Sequence, residues 1–98
     1  MSTLANAPSG VFSEVGIRAS APASSGVYAI YNRTTWIYVG ESNDIQRRLL
    51  EHVGEVGTCI NRSAPASFCY ETVAASTRVQ RQNGLILELR PSCNQRLG

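Results

Sequence analysis

Ninety-eight residues make one domain, with room for a single core and no second functional module. A net charge of +2 is too weak to announce a polyanionic partner by itself. No apolar run approaches a membrane span and the N-terminus lacks a signal-peptide pattern, so a cytoplasmic (intracellular) protein that spans no membrane is expected.

All nine basic residues are arginine. No lysine can therefore serve as a general base, and every cation is a planar fork suited to phosphate. Cys59, Cys69 and Cys93 are odd in number and lack a C-x-x-C pair, so neither a disulfide nor a zinc site is expected.

Residues 1–24 read as an N-terminal tail with a short helix over 11–19, capped by Ser13. The first eight are expected to be loose. Pro22 and the serines after it lead into the domain proper, residues 25–98. Residues 26–31 alternate as a strand, with Val27, Ala29 and Tyr31 on one face and Tyr28 and Ile30 on the other. Asn32-Arg33-Thr34 makes a turn, and the β-branched and aromatic run 35–39 returns as an antiparallel partner.

Ser42-Asn43-Asp44 caps a helix, with Asn43 and Gln46 spaced as a capping box. Ile45, Leu49 and Val53 form its apolar stripe, with Arg48 and His52 on the shoulder. Arg47 and Glu51 are expected to pair in solvent, and Gly54 to end the helix. Residues 55–65 read as a loop and 66–73 as a third strand. Ser76 or Thr77 caps a last helix ending near Leu89, before Pro91. Val79, Gln82, Leu85, Ile86 and Leu89 share one face of it, and Gln82 is that face's polar member. Tyr31, Trp36 and Tyr70 are expected in the core or on the sheet faces.

Gly26-Val27-Tyr28, Tyr38-Val39-Gly40, Arg48, His52 and the Leu85-Ile86…Arg90-Pro91-x-x-Asn94 ending together resemble the GIY-YIG nuclease family over residues 24–95. The resemblance implies an α+β fold, a three-stranded antiparallel sheet flanked by helices. It implies hydrolysis of DNA phosphodiesters with Mg2+ or Mn2+. It implies that Tyr28 and Tyr38 line the active site and that one phenol activates water. Arg48 would grip the scissile phosphate, His52 assist with the proton or the phosphate, and Asn94 brace the site. Gly40, Glu41 and Arg47 would lie along the substrate. A phosphodiester needs an in-line nucleophile, a proton acceptor and positive charge on its equatorial oxygens, which this set supplies.

Two residues depart from the family's pattern. Gln82 stands where the family carries the metal-binding Glu, and an amide oxygen brings no charge to a cation. Glu88 is about 120° away round the helix and does not replace it. Glu41 stands where the family often has a basic or amide residue, and its charge repels phosphate. Gln82 is either an engineered Glu→Gln change or the mark of a protein that kept binding and lost catalysis. The intact remainder of the motif favours the first. The leading reading is thus a small DNA endonuclease impaired by Gln82, and the alternative is a non-catalytic nucleic-acid-binding module. Small basic modules often need a dimer to cut both strands, so a homodimer is a candidate assembly, with no interface legible in the sequence.

Overall fold

The structure, a computed structural model, describes Leu4 and residues 7–94. Eight elements follow in order: β1 (Ser9–Val11), α1 (Glu14–Ser20), β2 (Gly26–Tyr31), β3 (Trp36–Ser42), α2 (Ile45–Gly54), α3 (Cys59–Arg62), β4 (Ser67–Thr72) and α4 (Arg78–Leu89). The strands form one antiparallel sheet in the order β1-β4-β2-β3. The expected three-stranded sheet is present, with β1 added along the free edge of β4. No apolar alternation could flag β1, because it is three residues long and Val11 faces solvent.

β2 is an inner strand, paired with β3 and β4, and is buried on both faces, so its sequence can be apolar throughout. Tyr28 and Ile30 pack with Ile17, Ile45, Leu49, Ile60 and Phe68, beneath α1, α2 and α3. Val27 and Ala29 pack with Val39, Cys69, Leu85 and Ile86, beneath α4. The sheet is therefore covered on both sides, and the two faces expected of β2 are the two faces observed. β3 runs three residues further than expected, because Gly40, Glu41 and Ser42 pair with Tyr28, Val27 and Gly26.

Ser13 caps α1 as expected, its hydroxyl accepting from Gly16 N at 3.0 Å. The expected looseness of the first eight residues falls mostly on residues outside those described. Pro8 is held, its carbonyl accepting from Tyr70 N. At α2 the cap is Asp44, which accepts from Arg47 N, while the Gln46 amide donates to Ala21 O. The capping box expected of Asn43 and Gln46 is thus not formed, because the cap falls one residue later, at Asp44, and the Gln46 side chain is held by the Ala21 carbonyl. Nor do Arg47 and Glu51 pair. Arg47 bonds Asn43, and Glu51 takes Arg48.

The expected loop 55–65 contains α3, capped by Thr58. In α4 the buried residues are Leu85 and Ile86, whereas Val79, in the first turn, is 49% exposed. Arg90 ends α4 in the left-handed region (φ 51°). The chain after Pro91 then runs along the outer edge of β3, with Ser92 N donating to Trp36 O and Cys93 N to Ile37 O. This covers backbone groups that an edge strand would leave open.

The expectation of three reduced cysteines is corrected. Cys59 at the start of α3 and Cys93 in the closing segment form a disulfide, their Cα atoms 5.8 Å apart. They are 34 residues apart in sequence, so only the fold brings them together. Cys69 stays free and buried, and burial pushes its thiol up to about 11, so it behaves as a small apolar residue.

Removing the disulfide by Cys93→Ser lowers stability by about 3–4 kcal/mol for a loop of this length. Urea unfolding with and without a reductant measures this, and a reductant-insensitive midpoint would rule the bond out. At Gly84 an added Cβ meets nothing within 4 Å. Gly84→Ala is therefore expected to stabilise α4 by about 1 kcal/mol, read as a higher thermal midpoint.

Candidate active site

Tyr28 lies directly opposite Gly40 in the β2–β3 ladder. Its ring covers the glycine: a Cβ there would overlap the Tyr28 hydroxyl and approach Tyr38 Cε2 to 2.9 Å. This contact explains why the tripeptide ending β3's motif must finish in glycine. Tyr38 sits two residues earlier on the same strand, and the two rings are 6.2 Å apart.

α2 brings Arg48 and His52 over these rings, one turn apart on its sheet-facing shoulder. Its N-terminal donors are all engaged: Ile45 N to Ser24 O, Gln46 N to Pro22 O, Arg47 N to Asp44 Oδ1 and Arg48 N to Asp44 O. The helix start is therefore locked to the linker before β2, and cation character comes from side chains. His52 is only 2% exposed, and both ring nitrogens are bonded. Nε2 meets Tyr28 Oη at 2.8 Å, and Nδ1 meets Glu55 Oε1 at 3.1 Å. The Tyr38 ring packs edge-on to the imidazole at 5.2 Å. Arg48 Nη1 bonds Glu51 Oε1 at 2.9 Å and Glu55 Oε2 at 3.3 Å.

Burial, with the nearby Tyr38, pushes the Tyr28 phenol well above its ordinary value, and Arg48 pulls the other way. Tyr38 is likewise raised, by burial first and by Glu55 and Glu41, against the pull of Arg48. Both phenols are neutral at rest. His52 is lowered, by burial and then by Arg48, against the opposing pull of Glu55 and Glu51. The resting centre is a neutral phenol facing a neutral imidazole, with one guanidinium beside them.

Tyr28, Tyr38, Arg48 and His52 thus form one cluster on the α2 face of the sheet. Asn94 supports it from the edge: its Oδ1 accepts from Val39 N at 2.8 Å and its Nδ2 donates to Val39 O at 3.0 Å. Val39 lies between Tyr38 and Gly40, so this two-point bond fixes the backbone that carries both. Arg47, next to Arg48 in α2, is exposed and donates to Asn43 Oδ1 at 3.0 Å. Glu41 faces α4, where Arg78 binds it at 2.5 Å and also reaches Ser25 Oγ at 2.9 Å. Gln82 belongs to α4, one turn after Arg78, and its Nε2 donates to Asn83 Oδ1 at 3.3 Å.

Sequence reasoning missed Glu55 and Arg78. Glu55 lies just past the helix in what read as a featureless loop. Three-residue spacing from His52 was the available signal. Arg78 lies 37 residues from Glu41, so nothing local connects them.

His52 makes stability depend on pH. In the fold its pKa is below the unfolded value of 6.5, so the unfolded chain binds more protons as pH falls. This contribution is complete above about pH 6.5 and is lost as pH drops from there toward the folded value. Urea midpoints measured across that pH range should fall with pH in the unmodified protein and fall less in His52→Gln. Equal slopes would refute a buried neutral imidazole.

Comparison with known proteins agrees with the geometry. The GIY-YIG catalytic domain profile matches residues 24–88. No curated protein matches the chain. Among solved structures, the chain is similar to the GIY-YIG N-terminal endonuclease domain of UvrC from Thermotoga maritima, solved as point variants bound to its catalytic divalent cation. One tyrosine-to-phenylalanine variant has 24% identity and a TM-score of 0.67, covering 78% of this chain and 88% of that one. An asparagine-to-alanine variant has 23% identity, the same TM-score and the same coverage. With residues 24–88 matched and the two tyrosines, Arg48 and His52 gathered on one face, the chain belongs to the GIY-YIG family.

Proposed function

We propose that the domain hydrolyses phosphodiester bonds in DNA as a metal-dependent endonuclease, and that this chain, with Gln82 in place, cleaves weakly or not at all. The observation that carries the proposal is the 2.8 Å bond between Tyr28 Oη and His52 Nε2, with Arg48 beside both phenols. A phenol is a poor base at rest, but one that can pass its proton to an adjacent imidazole can take a proton from water. Arg48 holds a non-bridging phosphate oxygen and stabilises the charge that grows there. Tyr38 lines the same face and limits water. Asn94 fixes the backbone under both. Arg47, exposed beside Arg48, supplies a second phosphate contact, and Gly40 makes room for the Tyr28 ring and hydroxyl.

The family's divalent cation, Mg2+ or Mn2+, calls for anionic oxygen. The residues of this chain do not fit one. Gln82 offers only a neutral carboxamide oxygen, and Glu41 is committed to Arg78. Among the described residues no group of three or more His, Cys, Asp or Glu is arranged to hold a metal. This mismatch favours a second reading, a nucleic-acid-binding module that no longer cuts. One catalytic cluster per chain cuts one strand, so a homodimer is the assembly we propose for duplex cleavage. No helix among the described residues is long and apolar enough to cross a membrane. A cytoplasmic site of action goes with a DNA substrate. A reducing cytosol would open the Cys59–Cys93 bond.

The test compares the chain as it stands with Gln82→Glu and Arg48→Ala. Gln82→Glu is expected to raise Mn2+ affinity by about tenfold or more, the ~1.4 kcal/mol or greater of a gained charge interaction. It is also expected to restore cleavage, and adding Arg48→Ala to it should remove about 10²–10³-fold of the rate. Gln82→Glu inert on single-stranded, branched and duplex DNA sinks the endonuclease reading. Steeply salt-dependent binding without cleavage then supports the binding module.

A further inference from the structure

Glu55 has no place in the family's motif, yet the fold holds it more firmly than a surface carboxylate needs. Its backbone N–H donates to His52 O at 3.2 Å. Its carbonyl accepts from Asn61 Nδ2 at 2.9 Å and from Thr58 Oγ1 at 3.0 Å. Asn61 Nδ2 also donates to His52 O at 2.7 Å, so α3 clamps the end of α2 and the turn that carries Glu55. The side chain is thereby aimed in two directions. Oε1 meets the buried Nδ1 of His52, and Oε2 meets Arg48 Nη1.

Donor and acceptor counting assigns the proton. An ionised carboxylate can only accept, so His52 Nδ1 must carry the hydrogen. Nε2 then presents a lone pair, and Tyr28 must be the donor in the 2.8 Å bond. A histidine bonded only to Tyr28 would be free to hold either tautomer, and in the other one Nε2 would donate to the phenol and block proton transfer.

We infer that Glu55 is a positioning residue of the reaction: it holds His52 in the Nδ1–H tautomer, so that Nε2 can receive the Tyr28 proton, and it steadies the imidazolium that results. This inference rests on the reading of the cluster as a phosphodiester-hydrolysing site. The proton count closes. Tyr28 Oη gives its proton to His52 Nε2, and the phenolate takes one from the attacking water. The hydroxide's electron pair forms the new P–O bond while the bond to the leaving oxygen breaks. That alkoxide takes a proton from solvent, and the imidazolium returns its own to solvent. The same carboxylate also holds Arg48, so one residue aligns the proton acceptor and the phosphate grip. Its 40% exposure leaves the Arg48 contact screened by water, whereas the His52 contact is buried on the imidazole side.

His52 is the chain's single histidine, so its imidazole 15N signals need no assignment in a protein free of any histidine tag. NMR of the unmodified chain near neutral pH, without DNA or metal, should show Nδ1 protonated and Nε2 bare. Glu55→Gln, whose amide can donate as well as accept, should lower the ratio of Nδ1–H to Nε2–H by about tenfold, the change that ~1.4 kcal/mol produces. Glu55→Asp should restore part of it and guards against a loss of folding in the first variant. In the Gln82→Glu background, Glu55→Gln should lower kcat with little change in KM for DNA. A bare Nδ1 in the unmodified chain overturns the assignment, as does a ratio unmoved by Glu55→Gln. Failure of Gln82→Glu to cleave overturns the endonuclease reading alone, because the tautomer is read without substrate.

Discussion

A tyrosine placed over a residue without a side chain is the constraint on which the rest of the site depends. Antiparallel pairing puts Tyr28 opposite Gly40, and the ring occupies the volume a Cβ would need. The hydroxyl thereby reaches His52 from within the core, and burial of both groups leaves them neutral. A buried phenol and a buried imidazole would each cost stability if left alone. Bonded to one another they are satisfied, and among the described residues no buried side-chain polar atom lacks a partner. The site is thus a polar inclusion in the core, built where the two tripeptides face each other.

The outer strand needs support because it is an edge. β3 carries Tyr38 and Gly40, and its free side would otherwise be open to solvent. The chain after Pro91 closes it with three successive residues, ending in the two-point bond from Asn94 to Val39. The Cys59–Cys93 bridge anchors that segment to α3, and α3 in turn clamps the end of α2 through Asn61. Edge, disulfide and helix end form one connected frame around the cluster. Oxidation state therefore bears on how firmly Asn94 is held.

Charge is distributed unevenly across the sheet. The α2 side has Arg48 shared between Glu51 and Glu55, so the guanidinium is oriented as well as partly neutralised. The α4 side has Glu41 tied to Arg78, with neutral Gln82 one turn further along. If Gln82 stands at the family's metal-binding position, as proposed, that position carries no anion, and the acidic group on β3 is already paired. On the proposed reading, the groups that would handle the proton and grip the phosphate are gathered on the α2 side, and the cation side is the weak half of the site.

Local pattern determined most of the fold. Alternation in β2, the stripe of Ile45 and Leu49, the Ser13 cap and the stop at Pro91 are contacts between residues close in sequence, which composition and period can report. The cluster of Tyr28, Tyr38, Arg48 and His52 was legible for a related reason: a hairpin and the helix after it keep these residues within 25 positions, at fixed spacing. Tertiary structure decided the rest. The Cys59–Cys93 bridge, the Glu41–Arg78 pair and β1's place beside β4 join residues more than thirty positions apart, and no local period reports such a distance. Glu55 was hidden differently. It is near His52 in sequence, but it matters only because His52 is buried and bonded to Tyr28, and burial is a property of the folded chain.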